Sequence, residues 1–179
     1  MATRHNEVLQ LPTQQTPRSG AKKVPKRSRN LDYRSREYLT ESEVEKLMVA
    51  ARNVGRHGHR DATLILLGYR HGLRVTELVN LRWEQIDLGQ GLIHVNRLKR
   101  GTASVHPLAG IEQNALIRLQ REYSKMPYVF VSERKSPLTP DAIRKIMGRA
   151  GIKSQLPFTV HPHMLRHACG FPPFSRTLS

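Results

Sequence analysis

His71-Gly72-Leu73-Arg74-Val75-Thr76-Glu77-Leu78 ends one helix and opens another. Ahead of it, Leu64, Ile65, Leu67 and Gly68 predict a helix from Asp61 to His71, and Gly72 stops it. Arg74 then opens a short helix expected over Thr76 to Leu81. A helix start favours anions, and arginine adds a planar fork suited to a phosphate. Glu77 lies three residues on, on the same face, where it can hold the guanidinium. The same two residues read equally well as a surface ion pair.

The surroundings define the fold class. Thr40-Glu41-Ser42-Glu43 is a capping box, followed by Val44, Leu47, Met48 and Ala51 at helical spacing. After the decisive stretch, Trp83 to Leu88, Gly91 to Leu98 and Ser104 to Leu108 read as strands, joined by Gly89-Gln90-Gly91 and Arg100-Gly101-Thr102. A helix is expected over Ile111 to Lys125, then an extended Tyr128 to Val131. A further helix runs from Thr139-Pro140-Asp141 to Gly151, and a last one from His163 to Cys169. Helices, a small antiparallel three-stranded sheet and more helices make an α+β domain that is mainly helical.

Charge points to the partner. The 179 residues carry 30 Lys and Arg against 14 Asp and Glu, a formal charge of +16. Such a charge opposes compaction unless a polyanion neutralises it, and nucleic acid is the usual one. Ala21 to Arg36 reads AKKVPKRSRNLDYRSR, with Lys22, Lys23, Lys26, Arg27, Arg29, Arg34 and Arg36 against Asp32. Residues 1–36 are therefore expected to be a disordered basic arm, lying along a phosphate backbone or simply solvated. Aromatics are only 6%, which argues against binding single strands by stacking. The lone Cys169 gives no disulfide framework. Met1 is followed by polar residues, with no secretory signal, and no apolar run is long enough to cross a bilayer. The expected location is the cytoplasm.

Two further stretches carry candidate chemistry. Asn96-Arg97-Leu98-Lys99-Arg100-Gly101 sits at the tip of the expected hairpin. A lysine there can donate a proton to a leaving oxygen or grip a backbone; the same residues also read as a solvated turn. His161-Pro162-His163-Met164-Leu165-Arg166-His167 places His163 and Arg166 on one helical face. His can shuttle a proton near neutrality, and Arg can hold phosphate charge. His161, His163, His167 and Cys169 also allow a metal reading, opposed by the fixed cation of Arg166 among the ligands.

Together, Gly72-Leu73-Arg74-Val75-Thr76-Glu77-Leu78, the hairpin lysine and His163-Met164-Leu165-Arg166-His167 resemble the tyrosine recombinases, also called phage integrases. The resemblance spans roughly Leu39 to Gly170 and is strongest to the fimbrial phase-switch branch. The supporting phrases include Tyr69-Arg70-His71-Gly72-Leu73-Arg74 and Val129-Phe130-Val131-Ser132-Glu133-Arg134. The resemblance implies site-specific DNA recombination through a 3′-phosphotyrosyl link, with no metal or nucleotide cofactor. It implies that Arg74 and Arg166 clamp the non-bridging oxygens, Lys99 protonates the leaving 5′-oxygen and His163 assists proton transfer. Glu77 would orient Arg74. Arg97 and Arg100 join the arm residues as expected DNA contacts. Double-stranded DNA and other recombinase subunits are the expected partners, with no membrane and no small-molecule substrate.

The sequence departs from that family after Arg166. The pattern should continue with a Leu-Gly-His motif and a helix bearing the nucleophilic tyrosine. Instead the chain reads Ala168-Cys169-Gly170-Phe171-Pro172-Pro173-Phe174, and all five tyrosines precede Arg166. The expectation is a catalytic domain over residues 37–170 that is truncated, with an aberrant tail over 171–179. It would bind DNA without cutting it. The alternative is a non-catalytic DNA-binding module that competes with a full-length recombinase.

Overall fold

The computed structural model describes residues 37–96, 103–123 and 125–169. The expected basic arm, the hairpin tip with Arg97, Lys99 and Arg100, and the tail lie outside the described residues. Within them are six helices and one three-stranded sheet. None of these helices is long and apolar enough to cross a membrane.

Helix α1, Glu41–Asn53, starts where the capping box predicts. The Thr40 N–H donates to Glu43 Oε2 at 2.8 Å. Val44, Leu47, Ala50 and Ala51 form its buried stripe. Helix α2, Gly58–Arg70, begins about a turn earlier than the apolar period suggests. Its polar start is buried because Arg60 and Asp61 satisfy each other: Arg60 donates to Asp61 Oδ1 at 2.9 and 2.7 Å and to the Val131 carbonyl at 2.7 Å. Residues 60–68 are all buried, so α2 is the central rod of the domain. Leu64, Ile65 and Leu67 are fully enclosed, each contributing roughly 1.5–3 kcal/mol of burial. Against α2 pack α1, α4 (Gly110–Glu122) and α6 (Pro162–Cys169), while α5 (Pro140–Lys153) packs on α1.

The sheet is smaller than expected. Strand β1 is Ile86–Asp87, β2 is Leu92–Val95 and β3 is Ser104–Pro107, antiparallel in that order. Trp83–Gln85 forms a 3₁₀ turn instead of strand. The Arg82 N–H is taken by Gln85 Oε1 at 3.0 Å, and the Trp83 N–H by the Pro127 carbonyl at 3.1 Å, which draws the segment away from β2. Residues 128–131 form no strand: isolated bridges join Arg82 to Tyr128 and Val131 to Pro137, and the chain bends at Val129 and Phe130. Val129, Phe130 and Val131 are fully buried there.

Helix α3, Val75–Val79, is only five residues long. It meets α2 and α6 closely at Gly68. A Cβ on Gly68 would lie 3.2 Å from Leu165 Cδ1 and 3.4 Å from Leu78 Cδ1. The small residue lets three helices converge just ahead of the His71–Arg74 turn.

Candidate active site

Helix α2 ends at Arg70, and the chain reverses through Gly72 at φ +58°, a left-handed conformation that suits glycine. Arg74 follows as the N-cap residue of α3. Glu77 holds it twice: its Oε2 accepts from the Arg74 N–H at 2.8 Å and its Oε1 from Arg74 Nη1 at 2.9 Å. The Glu77 side chain is only 3% exposed, whereas that of Arg74 is 34% exposed. A buried carboxylate thus fixes both the backbone and the guanidinium of a partly exposed arginine. The attraction for an anion lies in that guanidinium, since a helix of one and a half turns adds little field of its own.

Helix α6 brings the second arginine to the same turn. Arg166 Nη1 donates to the carbonyl of Gly72. Cys169, one turn on, rests its Sγ 3.5 Å from the Arg70 carbonyl. A Cβ on Gly72 would lie 3.3 Å from that sulfur and 4.0 Å from Arg166 Cγ. The turn between α2 and α3 is therefore the meeting place of Arg74 and Arg166. His163 is exposed on α6, its ring centroid 6.4 Å from that of His161. Lys99, Arg97, Arg100 and the arm residues Lys22, Lys23, Lys26, Arg27 and Arg29 lie outside the described residues. Among the described residues, no three His, Cys, Asp or Glu side chains converge as metal ligands would.

One cluster at this site escaped the sequence reading. His71 is buried, with Nε2 2.9 Å from Glu112 Oε1 on α4. Its Nδ1 lies 3.3 Å from Nδ1 of His106 on β3. His106 Nε2 in turn lies 2.9 Å from Ser104 Oγ. Glu112 Oε2 accepts the Ala109 N–H at 2.7 Å, at the start of α4. In sequence, Glu112 looks like an ordinary acid in a first helical turn. The available signal was a lone acid among apolar neighbours on the buried face of α4.

Tyr123 and Tyr128 are poorly placed as nucleophiles. Burial pushes the Tyr69 and Tyr123 hydroxyls above their ordinary range, against the phenolate. Tyr123 holds His57 Nδ1 at 2.7 Å beside the start of α2, while Arg74 lies past its end. A 13-residue helix separates those ends by about 20 Å. The Tyr128 ring is half-buried beneath the Arg82 guanidinium, 4.9 Å from its centroid.

The pattern of the phage integrase family matches residues 37–172. The chain belongs to that family. Among its relatives are two type 1 fimbriae regulatory proteins of Escherichia coli strain K12. FimE is 42% identical over 142 residues, covering 76% of this chain and 71% of FimE. FimB is 39% identical over 145 residues, covering 78% and 72%. The family fold is equally clear in solved structures. XerA recombinase superposes with a TM-score of 0.64 at 28% identity, covering 74% of this chain. The match spans only 48% of the XerA chain, about half its length. A lambda integrase dimer bound to a COC′ core site gives 0.61 at 22% identity, a likeness of fold alone. The expected α+β, mainly helical architecture is that of these catalytic domains.

Proposed function

We propose that this chain is the phosphate-binding part of a site-specific DNA recombinase, gripping duplex DNA through Arg74 and Arg166. One observation carries this reading: Arg166 is tied to the carbonyl of Gly72, two residues before Arg74, while Glu77 fixes Arg74. Two guanidiniums held at one turn suit the two non-bridging oxygens of a phosphodiester. They would also stabilise the added charge when that phosphorus becomes pentavalent. His163, exposed three residues before Arg166, would move a proton at the attacking or departing oxygen. Lys99 would protonate the 5′-oxygen as the P–O bond breaks. The likeness to FimE and FimB supports placing the chain with regulators of that kind.

In such a reaction a tyrosine oxygen forms the new bond to phosphorus and the 5′-oxygen leaves with a proton. The 3′-phosphotyrosyl ester is then reopened by a 5′-hydroxyl. These 179 residues hold no tyrosine after Arg166. By themselves they would bind and polarise the phosphate but form no ester.

The test is duplex binding by the full chain at several salt concentrations. Arg74→Ala and Arg166→Ala should each weaken binding about tenfold or more, the usual scale of a charge-assisted contact of about 1.5–3 kcal/mol. Unchanged affinity in both would overturn the phosphate reading.

A further inference from the structure

We propose that His71 is a positioning residue for both arginines, held in place by Glu112 of α4 and His106 of β3. The inference rests on the phosphate-binding reading above and adds the device that fixes the site's geometry. His71 immediately precedes Gly72, whose carbonyl holds Arg166, and lies three residues before Arg74. The turn anchors two side chains deep in the protein, Leu73 and His71, and His71 is the polar one. That side chain is 4% exposed and its Glu112 partner 2%. Gly72 has no side chain, and Arg74 is itself a ligand-facing group.

The four groups form one chain of contacts through the buried turn. His71 Nε2 and Glu112 Oε1 lie 2.9 Å apart as a buried ion-pair contact, and neither atom makes a hydrogen bond of good geometry among the described residues. His71 Nδ1 faces His106 Nδ1 at 3.3 Å, so one nitrogen donates and the other accepts. His106 Nε2 in turn shares a hydrogen bond with the Ser104 hydroxyl. The contacts run from Ser104 through His106 and His71 to Glu112. The Ala109 N–H steadies the far oxygen of Glu112. Only one proton fits between the two Nδ1 atoms at 3.3 Å, so the two rings are coupled. It also ties three elements to one turn: β3, the start of α4 and the end of α2. Arg70 lines the same cleft, a cation on the solvent side of the cluster.

A positioning role differs from a packing role in what the site's ligand feels. If the cluster sets the turn, occupancy of the arginines must be sensed at His71, because coupling is reciprocal. The probe is inorganic phosphate, titrated into the full chain and followed by the ¹H–¹⁵N signals of the Arg74 and Arg166 side chains. The imidazole nitrogens of His71 and His106 are followed alongside. In the unaltered chain both arginines should saturate together. The imidazole signals should move with the same midpoint. Arg74→Ala with Arg166→Ala should abolish the imidazole response.

Replacing His71 by a hydrocarbon would strand a buried carboxylate, so shape-conserving variants carry the test. His71→Gln keeps a donor towards Glu112 and gives up the His106 contact; His71→Asn does the reverse. Glu112→Gln keeps an acceptor for Ala109 and removes the charge. Each should weaken phosphate binding roughly threefold to tenfold, the range of one lost orienting hydrogen bond. His106→Gln, on a strand and partly exposed, is the variant least able to unfold the domain and should do the same. Retained phosphate affinity in His106→Gln and Glu112→Gln would overturn the proposal. So would imidazole signals that ignore phosphate while the arginines respond. Failure of the arginines themselves to respond would instead remove the phosphate-binding reading.

Discussion

Arg166 donates to the backbone of Gly72 across 94 residues of chain. The contact joins the last described helix to the turn that carries Arg74. Everything the site does depends on how closely α6 can approach that turn, and Gly72 sets the approach.

Gly72→Ala should therefore be costly. It places a Cβ at φ +58° and 3.3 Å from Cys169 Sγ. Loss of about 1–3 kcal/mol is expected from the backbone alone, with a further shift of α6. Gly148→Ala is the matched control: it lies inside α5 with open space around it. It should raise stability by about 0.4–1 kcal/mol. Chemical denaturation of the two variants checks both signs, and equal effects would refute the account.

Duplex affinity should fall at least tenfold between low and physiological salt, since several phosphate contacts release counterions together. Removing residues 1–36 takes away Lys22, Lys23, Lys26, Arg27 and Arg29 with their neighbours. The slope of log affinity against log salt should then flatten. An unchanged slope would mean that this segment makes no phosphate contacts.

No covalent protein–DNA product should form with the 179-residue chain. The check is a labelled duplex nicked near the scissile phosphate, run on a denaturing gel after incubation. A band that disappears with Tyr69→Phe, Tyr123→Phe or Tyr128→Phe would reveal an upstream tyrosine in use. A relative that supplies a tyrosine could restore the product with Arg74 and Arg166 intact, and the same relative changed from tyrosine to phenylalanine should not.

Alkali should destabilise the fold in part through Tyr123. Burial raises its hydroxyl above the ordinary value of 10.0. An acid with a raised folded pKa keeps its proton longer in the folded state, so unfolding releases protons in that window. Stability is complete below the unfolded value and declines as pH rises from there through the folded value. Tyr123→Phe loses the 2.7 Å contact with His57 and is less stable at neutral pH, but its decline above pH 10 should be shallower. Tyr69, shifted the same way, leaves part of the decline in place. Thermal midpoints against pH for the two proteins give the answer.

The Arg74–Glu77 pairing was legible because local rules mark it. A glycine ends a helix, an arginine opens the next, and an acid three residues on shares its face. Glu77 was found for that reason, and the structure places it on Arg74 twice. His71 was quoted in the same stretch yet read only as a helix end. Its partners Glu112 and His106 come from α4 and β3, and a one-dimensional pattern records which face is buried but not what lies opposite. The helix expected from Asp61 starts three residues earlier, at Gly58, and Arg60 and Asp61 are both buried there because they pair with each other. The Trp83 segment has suitable strand residues, but bonds from Arg82 and Trp83 to Gln85 and Pro127 turn it away.

The acceptor that Arg166 uses is a peptide carbonyl, and heredity cannot delete a peptide carbonyl. No single codon change at position 72 removes that oxygen; it can only tilt it. Drift at this site is thus confined to altered angles and spacing, which exchanges at Gly72, His71 and their neighbours can still change. Where an aspartate or asparagine held the same guanidinium, one missense event would release it. Here the vulnerable partner is Arg166 itself.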